Sequence, residues 1–231
     1  MSGARRRRVY DSLNRQLPRL LGTRIRRGPA AGLRFTGGDH VGYLLGVSEP
    51  AVQNALVRHL KPGSVLFDVG ANAGFLTLLG CRLVGSSGQV HAFEPVAANA
   101  EVLRANLTRN EFTNATIHQL ALANTTGELR MTVQTRRGTS AIRAAGETMV
   151  NAARADDLVL PAPTLVKIDV EGAERSVLDG MRGIVAEHRP VLVIEVHGDQ
   201  RRPVEEFLDQ AGYEYSVLNA DGMPHLLATP R

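Results

Sequence analysis

SVLFDVGANAGFLTLLGCRLV, residues 64–84, changes from one kind of secondary structure to another around a single turn. Its opening, SVLFDVG, is an apolar run without polar alternation, as expected of a strand covered on both faces. GFLTLLGCRLV (74–84) then reads as a helix. Gly70 and Gly74 bracket the turn between them. Glycine lets the backbone come close to a ligand there, and the helix N-terminus offers unpaired N–H groups. The same alternation continues downstream. QVHAFEP (89–95) is a strand stopped by Pro95, AANAEVLRANLTRN (97–110) a helix, and ATIHQLALA (115–123) a strand. TLVKIDV (164–170) and VLVIEVH (191–197) are strands, each followed by a helix, AERSVLDGM (173–181) and PVEEFLDQAG (203–212). Strands separated by helices imply parallel βαβ units in an open, doubly wound sheet. Such sheets bind ligands outside the carboxyl ends of their strands.

The flanking segments complete the pattern. In YLLGVSEPAVQNALVRHL, Pro50 takes a first helical position, and Val52, Leu56 and Leu60 recur at helical spacing. GELRMTVQT (127–135) alternates and reads as an extra strand or hairpin arm. Residues 136–155 are small, polar and poorly periodic, which predicts a loop or lid. YEYSVLN and PHLLAT flank ADG as a terminal antiparallel hairpin.

The chain has 231 residues, 43% of them apolar, which suits one α/β domain with a short extension. Charge is uneven: residues 1–34 carry ten arginines against one acid, Asp11, and the remaining 197 residues sum to −5. The expected organisation is a basic arm over 1–34 and a folded domain over 35–231. A mildly acidic body weakens any inference to nucleic acid. Cys81 is alone, which excludes an internal disulfide and fits a reducing, cytoplasmic setting. No run of 18 apolar residues occurs, so no membrane span is expected. A homodimer is compatible with these features.

Function is to be sought at the strand ends. The first turn, Gly70-Ala-Asn72-Ala-Gly74, lacks the spacing of a dinucleotide loop and of a phosphate loop. Glu94 follows Gly70 by 24 residues and ends the second strand, where an acid accepts ribose hydroxyls. The pair predicts an adenosine-containing ligand without a pyrophosphate. Asp68 is placed to hold an ammonium or to orient the loop.

LVKIDVEGAE (165–174) carries Lys167, one of only two lysines, alternating with two carboxylates, Asp169 and Glu171. Side chains alternate along a strand, so Lys167, Asp169 and Glu171 share one face and Val166, Ile168 and Val170 the other. Unpaired buried charges cost several kcal/mol, so these must pair with each other or face a ligand. Glu195 and His197 share a face of the next strand. If the two strands are neighbours, Asp169, Glu195 and His197 converge. A mutually satisfied structural network, with Lys167 clamped between carboxylates, is the alternative.

FDVGANAGF, HAFEP, LVKIDVEGAERSVLDG and VLVIEVHG, in this order and spacing, resemble the FkbM-type S-adenosylmethionine-dependent methyltransferases from roughly Gly37 to Thr229. The resemblance implies a class I methyltransferase fold, a Rossmann-like three-layer α/β sandwich. Its seven-stranded, mostly parallel sheet has an antiparallel last strand. It also implies methyl transfer to a hydroxyl of a small molecule, a sugar or natural-product scaffold. Carried over by position, Asp68, Gly70, Asn72, Gly74 and Phe75 form the cofactor loop, Glu94 holds the ribose, Leu120 and Ala121 lie near adenine, and Asp169 faces the methyl-transfer centre. His197 is the natural base for a hydroxyl nucleophile, since its ordinary pKa lies near working pH. Asp169 and Glu195 would orient it, and Lys167 would keep Asp169 ionised and aimed. Thr139, Ser140 and Glu171 are candidates for holding the acceptor. A metal-free base is favoured over the alternative of Mg²⁺ on Asp169, Glu195 and His197. Competing readings are a ribose 2′-O-methyltransferase of RNA guided by the arm, and a non-catalytic adenosyl-binding protein. Scarce stacking aromatics disfavour a nucleic-acid partner, and the glycine spacing disfavours a nicotinamide oxidoreductase.

Overall fold

The computed structural model describes residues 23–37, 41–133, 146–219 and 223–231. Two helices, α1 (Val41–Leu45) and α2 (Pro50–His59), precede β1 (Val65–Val69), α3 (Phe75–Val84), β2 (Gln89–Phe93), α4 (Ala97–Arg109) and β3 (Ala115–His118). β4 (Ala121–Leu122), β5 (Gly127–Val133) and β6 (Gly146–Ala153) follow. The chain then continues through β7 (Leu165–Ile168), α5 (Glu174–Asp179), α6 (Arg182–His188), β8 (Val191–Glu195), α7 (Arg201–Gln210), β9 (Tyr213–Val217) and β10 (His225–Pro230). Seven strands form one sheet in the order β3-β2-β1-β7-β8-β10-β9. Every pair is parallel except those of β10, which is antiparallel to both β8 and β9. The final hairpin is therefore present, and it inserts the last strand inside the edge of the sheet.

Alternation along the central strands builds the two cores. Leu66, Leu165 and Val193 point to one face, where they meet α2, α3 and the segment containing Ile25, Leu33 and Phe35. Phe67, Val166, Ile168, Leu192 and Ile194 point to the other, against α5, α6 and α7. Asp68, Lys167 and Glu195 belong by alternation to the Leu66 face. All three lie at the carboxyl ends of their strands. Polar groups are thus gathered where the helical cover gives way to a cleft.

Several elements differ from the sequence reading. ATIHQLALA is two strands: β3 stays in the large sheet, and β4 turns away to pair with β6. The expected loop over 136–155 contains β6, antiparallel to β5, in a small sheet of order β4-β6-β5. Its small, polar sequence gave little periodic signal, because the backbone ladder holds it and only Val150, Ala152 and Ala153 bury side chains among those described. Helices α1 and α6 were not read as separate elements. Residues 23–34, assigned to the basic arm from their charge, are packed: Ile25, Ala30 and Leu33 are buried. Arg82 also donates to the carbonyls of Pro29 and Ala31, each at 2.9 Å. Residues 1–22 lie outside the described residues.

Candidate active site

The cofactor side starts at β1. Gly70 and Ala71 both donate to the carbonyl of Phe93 at 3.0 Å, which sews the first turn to the end of β2. Gly70 has φ +77°, and a Cβ there would lie 1.8 Å from the carbonyl oxygen of Asp169. Glycine is required because the ends of β1 and β7 come this close. Gly74 closes the turn at φ +89°, with Leu103 filling the space a Cβ would take.

Glu94 is buried at the end of β2. Its Oε2 accepts the N–H of Asn72 at 2.8 Å, and its Oε1 accepts from Val96 N–H at 2.9 Å and Asn99 Nδ2 at 3.2 Å. Burial raises its pKa, against the pull of these donors. A carboxylate has about four lone-pair sites, so Oε2 keeps room for a further donor. Leu120 and Ala121 sit half-buried just beyond β3, on the rim that Glu94 reaches through its N–H bond to the His118 carbonyl. Phe75 lines the cleft beside Tyr43, with ring centroids 4.9 Å apart, and Phe35 closes the aromatic wall.

Lys167 stands directly opposite Asp68 in the β1–β7 ladder. Its ammonium lies 3.2 Å from Asp68 Oδ1 and 3.7 Å from Asp169 Oδ2, and donates to the Gly70 carbonyl at 2.9 Å. Burial opposes its charge, but Asp68 and Asp169 outweigh that, and its pKa stands above the ordinary lysine value. Thr77 donates to Asp68 Oδ2 at 2.6 Å. Asp68 is thus tied to α3 through Thr77 and shares the lysine with Asp169.

On the acceptor side, β7 and β8 are neighbours, and Asp169, Glu195 and His197 converge as their pattern suggested. Nε2 of His197 is 3.6 Å from Glu195 Oε1 and 3.9 Å from Asp169 Oδ1. Glu171 lies past the end of β7 in the left-handed region at φ +55° and is mostly exposed. It does not hold Lys167 as one sequence reading had it, and approaches His197 Nε2 at 3.5 Å instead. Thr139 and Ser140 fall outside the described residues.

Four participants were not singled out from sequence. Glu174, at the start of α5 and without solvent exposure, takes Nδ1 of His197 at 2.8 Å. Burial lowers the His197 pKa, but Glu174, Asp169 and Glu171 outweigh it, leaving the value above that of free histidine. His225 opens β10 opposite Glu195, with Nε2 3.1 Å from Glu195 Oε2. Glu49 precedes α2, and Tyr43 donates to it at 3.4 Å. Burial lifts the Glu49 carboxyl to about 7, against the attraction of Lys167. The sequence held a sign for two of them. Glu174 closes the LVKIDVEGAE stretch, and Glu49 stands before a proline that denies it a helical conformation. Tyr43 and His225 had none.

The donor set suits an adenosyl sulfonium. Buried carboxylate oxygen is available for hydroxyls, aromatic faces line the cleft, and the surplus of acids favours a positively charged donor. The glycine turn carries no lysine or arginine for phosphate.

Strand order, glycine turn and terminal hairpin define a class I S-adenosylmethionine-dependent methyltransferase. Residues 68–215 match the methyltransferase FkbM domain, and the chain belongs to that family. It is 29% identical to the hexuronic acid methyltransferase AglP of Haloferax volcanii over 182 residues, 75% of this chain and 74% of that protein. It is 40% identical to the 31-O-demethyl-FK506 methyltransferase FkbM of Streptomyces tacrolimicus over 79 residues, 33% of this chain and 30% of that protein. The crystal structure of a methyltransferase FkbM from Methylobacillus flagellatus superposes with a TM-score of 0.56 at 18% identity. That match covers 95% of this chain and 60% of that one, so the chain spans less than two thirds of that structure's length. No helix among the described residues is long and apolar enough to cross a membrane.

Proposed function

We propose that the chain is an O-methyltransferase acting on a hydroxyl of a small molecule, a sugar or a natural-product scaffold. The observation that carries this reading is the pair His197–Glu174. A buried carboxylate fixes Nδ1 and leaves Nε2 3.9 Å from Asp169, which lines the cleft beside the Gly70–Gly74 turn. S-adenosylmethionine, when bound, supplies an electrophilic methyl group on a sulfonium. The Gly70–Gly74 turn, Phe75, Leu120, Ala121 and Glu94 are the residues that would hold it, with Glu94 on the ribose. Asp169, paired with Lys167 at 3.7 Å, would face the positive centre. His197 takes the hydroxyl proton at Nε2 as the acceptor oxygen becomes nucleophilic. Glu174 stabilises the imidazolium that results, and Glu195 stands next to it. Much of the acceleration then comes from holding the acceptor in line. The names of the two sequence relatives, a hexuronic acid methyltransferase and a 31-O-demethyl-FK506 methyltransferase, support a hydroxyl acceptor of this class.

The test is acceptor-dependent formation of S-adenosylhomocysteine by the purified chain, offered neutral hexosides, hexuronides and macrocyclic alcohols. Turnover that needs a hydroxyl acceptor, and that His197→Gln abolishes while S-adenosylhomocysteine still binds, supports the reading. Turnover that survives His197→Gln removes the histidine from its role. Binding of S-adenosylhomocysteine with no turnover on any hydroxyl moves the chain to the adenosyl-binding class.

A further inference from the structure

Three side chains from three elements meet next to this site, and two of them, Glu49 and His225, have no part in the proton transfer above. Glu49 comes from the N-cap of α2, Glu195 from the end of β8 and His225 from the start of β10. Each offers one ligand atom, and these atoms all lie within 4.8 Å of one another. The sheet makes the meeting unavoidable. Glu195 and His225 are direct partners across the antiparallel β8–β10 ladder, and α2 packs over both strands. Glu49 is held at φ 49°, ψ 49°, a left-handed conformation that costs a glutamate about 1 kcal/mol or more. Strain of this kind persists where the surroundings enforce it, and here it accompanies a carboxylate placed among the cleft-lining residues.

The three groups satisfy one another only in part. Both ring nitrogens of His225 are shut off from water; Nε2 faces Glu195 Oε2 at 3.1 Å, and Nδ1 makes no hydrogen bond. A buried ring nitrogen without a hydrogen bond costs free energy, and a cation on its lone pair removes that cost. The surrounding charge argues the same way. Asp68, Asp169, Glu174, Glu195 and Glu49 crowd the strand ends, whereas the Lys167 ammonium is already shared by Asp68 and Asp169.

We infer that Glu49, Glu195 and His225 bind one divalent cation of the Mn²⁺ or Mg²⁺ class, beside the cleft in which methyl transfer is proposed. Two carboxylates and one imidazole suit hard to borderline divalent ions. Three protein ligands leave coordination positions for water or acceptor oxygens. The neighbouring set, Asp169, Glu195 and His197, shares Glu195 but is a poorer host. Asp169 is already ion-paired with the Lys167 ammonium at 3.7 Å, a partner that a dication would have to displace.

The test is a titration of the EDTA-treated full chain with Mn²⁺ alone, followed by loss of the electron paramagnetic resonance signal of aqueous Mn²⁺. The expected result is one bound ion per chain, with Glu49→Gln, Glu195→Gln and His225→Gln each weakening binding by about tenfold or more. Asp169→Asn is expected to leave Mn²⁺ affinity within about threefold. Melting curves with S-adenosylhomocysteine in EDTA show which variants are folded, and they test the methyltransferase reading separately, because no metal is present. Three ligand variants on three elements keep the result readable if one of them fails to fold. Absence of bound Mn²⁺ at about 1 mM overturns the inference. So does a pattern in which Asp169→Asn and His197→Gln abolish binding while His225→Gln and Glu49→Gln do not.

Discussion

Oε1 of Glu174 accepts the Nδ1–H of His197 at 2.8 Å and the N–H of Gly172 at 2.9 Å, from a position with no solvent exposure. One oxygen thereby fixes the imidazole and the turn leading from β7 into α5. Its partner Oε2 is buried without a hydrogen bond. Glu174 touches neither cofactor nor acceptor in the proposed scheme, and acts through the ring it orients. Glu174→Gln should lower kcat by about 10²-fold or more, because the amide cannot stabilise an imidazolium as a carboxylate does. Affinity for S-adenosylhomocysteine should stay within about twofold, since the Gly70–Gly74 turn is untouched. Steady-state kinetics beside calorimetric titration checks both. An unchanged kcat would remove Glu174 as a positioning residue.

Glu94 ties the glycine turn to the end of β2 through Asn72 and secures the start of α4 through Val96 and Asn99. Hydrogen bonds to a charged group contribute about 1.5–3 kcal/mol each. Glu94→Ala should therefore weaken S-adenosylhomocysteine binding by at least about tenfold. Asn99→Ala, which removes only the 3.2 Å contact, should have a smaller effect. Calorimetric titration of the two variants gives the ranking, and equal losses would mean that Glu94 acts only as a structural tie.

Much of this arrangement was legible in the chain, for identifiable reasons. The sheet was readable because strands covered on both faces are apolar runs, as in SVLFDVG and VLVIEVH. Asp68, Glu94, Asp169 and His197 were readable because they interrupt or end such runs. The partner of His197 was not, since Glu174 lies 23 positions away and reads as an ordinary first-turn helix acid. His225 was hidden for a related reason. Its importance comes from standing opposite Glu195, and that register depends on where the last hairpin inserts. β6 escaped because its side chains are small and polar, so that backbone pairing rather than periodicity holds it.

Lys167 is the ammonium shared by Asp68 and Asp169, 6% exposed in its side chain. Removing one partner of a buried ion pair leaves uncompensated charge and costs about 3–5 kcal/mol. Lys167→Met keeps the length of the side chain and should destabilise the chain by about that amount. The double variant Lys167→Met with Asp68→Asn should recover part of the loss, because one buried charge is removed with its partner. Urea unfolding at neutral pH measures both. A single variant as stable as the parent would show that Asp68 and Asp169 do not need the lysine for folding.

His91 and His118 face each other across β2 and β3, with Nδ1 of His91 3.0 Å from Nε2 of His118. His91 lies against Phe67, and His118 stacks on Phe93. Burial, reinforced by His118, pushes the His91 pKa down to about 4, and burial lowers His118 as well. A histidine depressed in the folded state is neutral there while its unfolded counterpart takes a proton. Its contribution to stability is therefore complete above the unfolded value, about 6.5, and is lost as pH falls from there through about 4. His197 and His225 shift upward, so their contributions are complete below about 6.5 and do not change across this window. The unfolding free energy should fall by up to about 3 kcal/mol between pH 6.5 and 4 on account of His91. His91→Phe should flatten the curve there, because a ring of similar size then fills the site without a proton to gain. Chemical denaturation at half-unit pH steps, parent against variant, isolates this term from the carboxylates that titrate in both. Parallel curves for the two proteins would show that the His91–His118 pair does not govern acid stability.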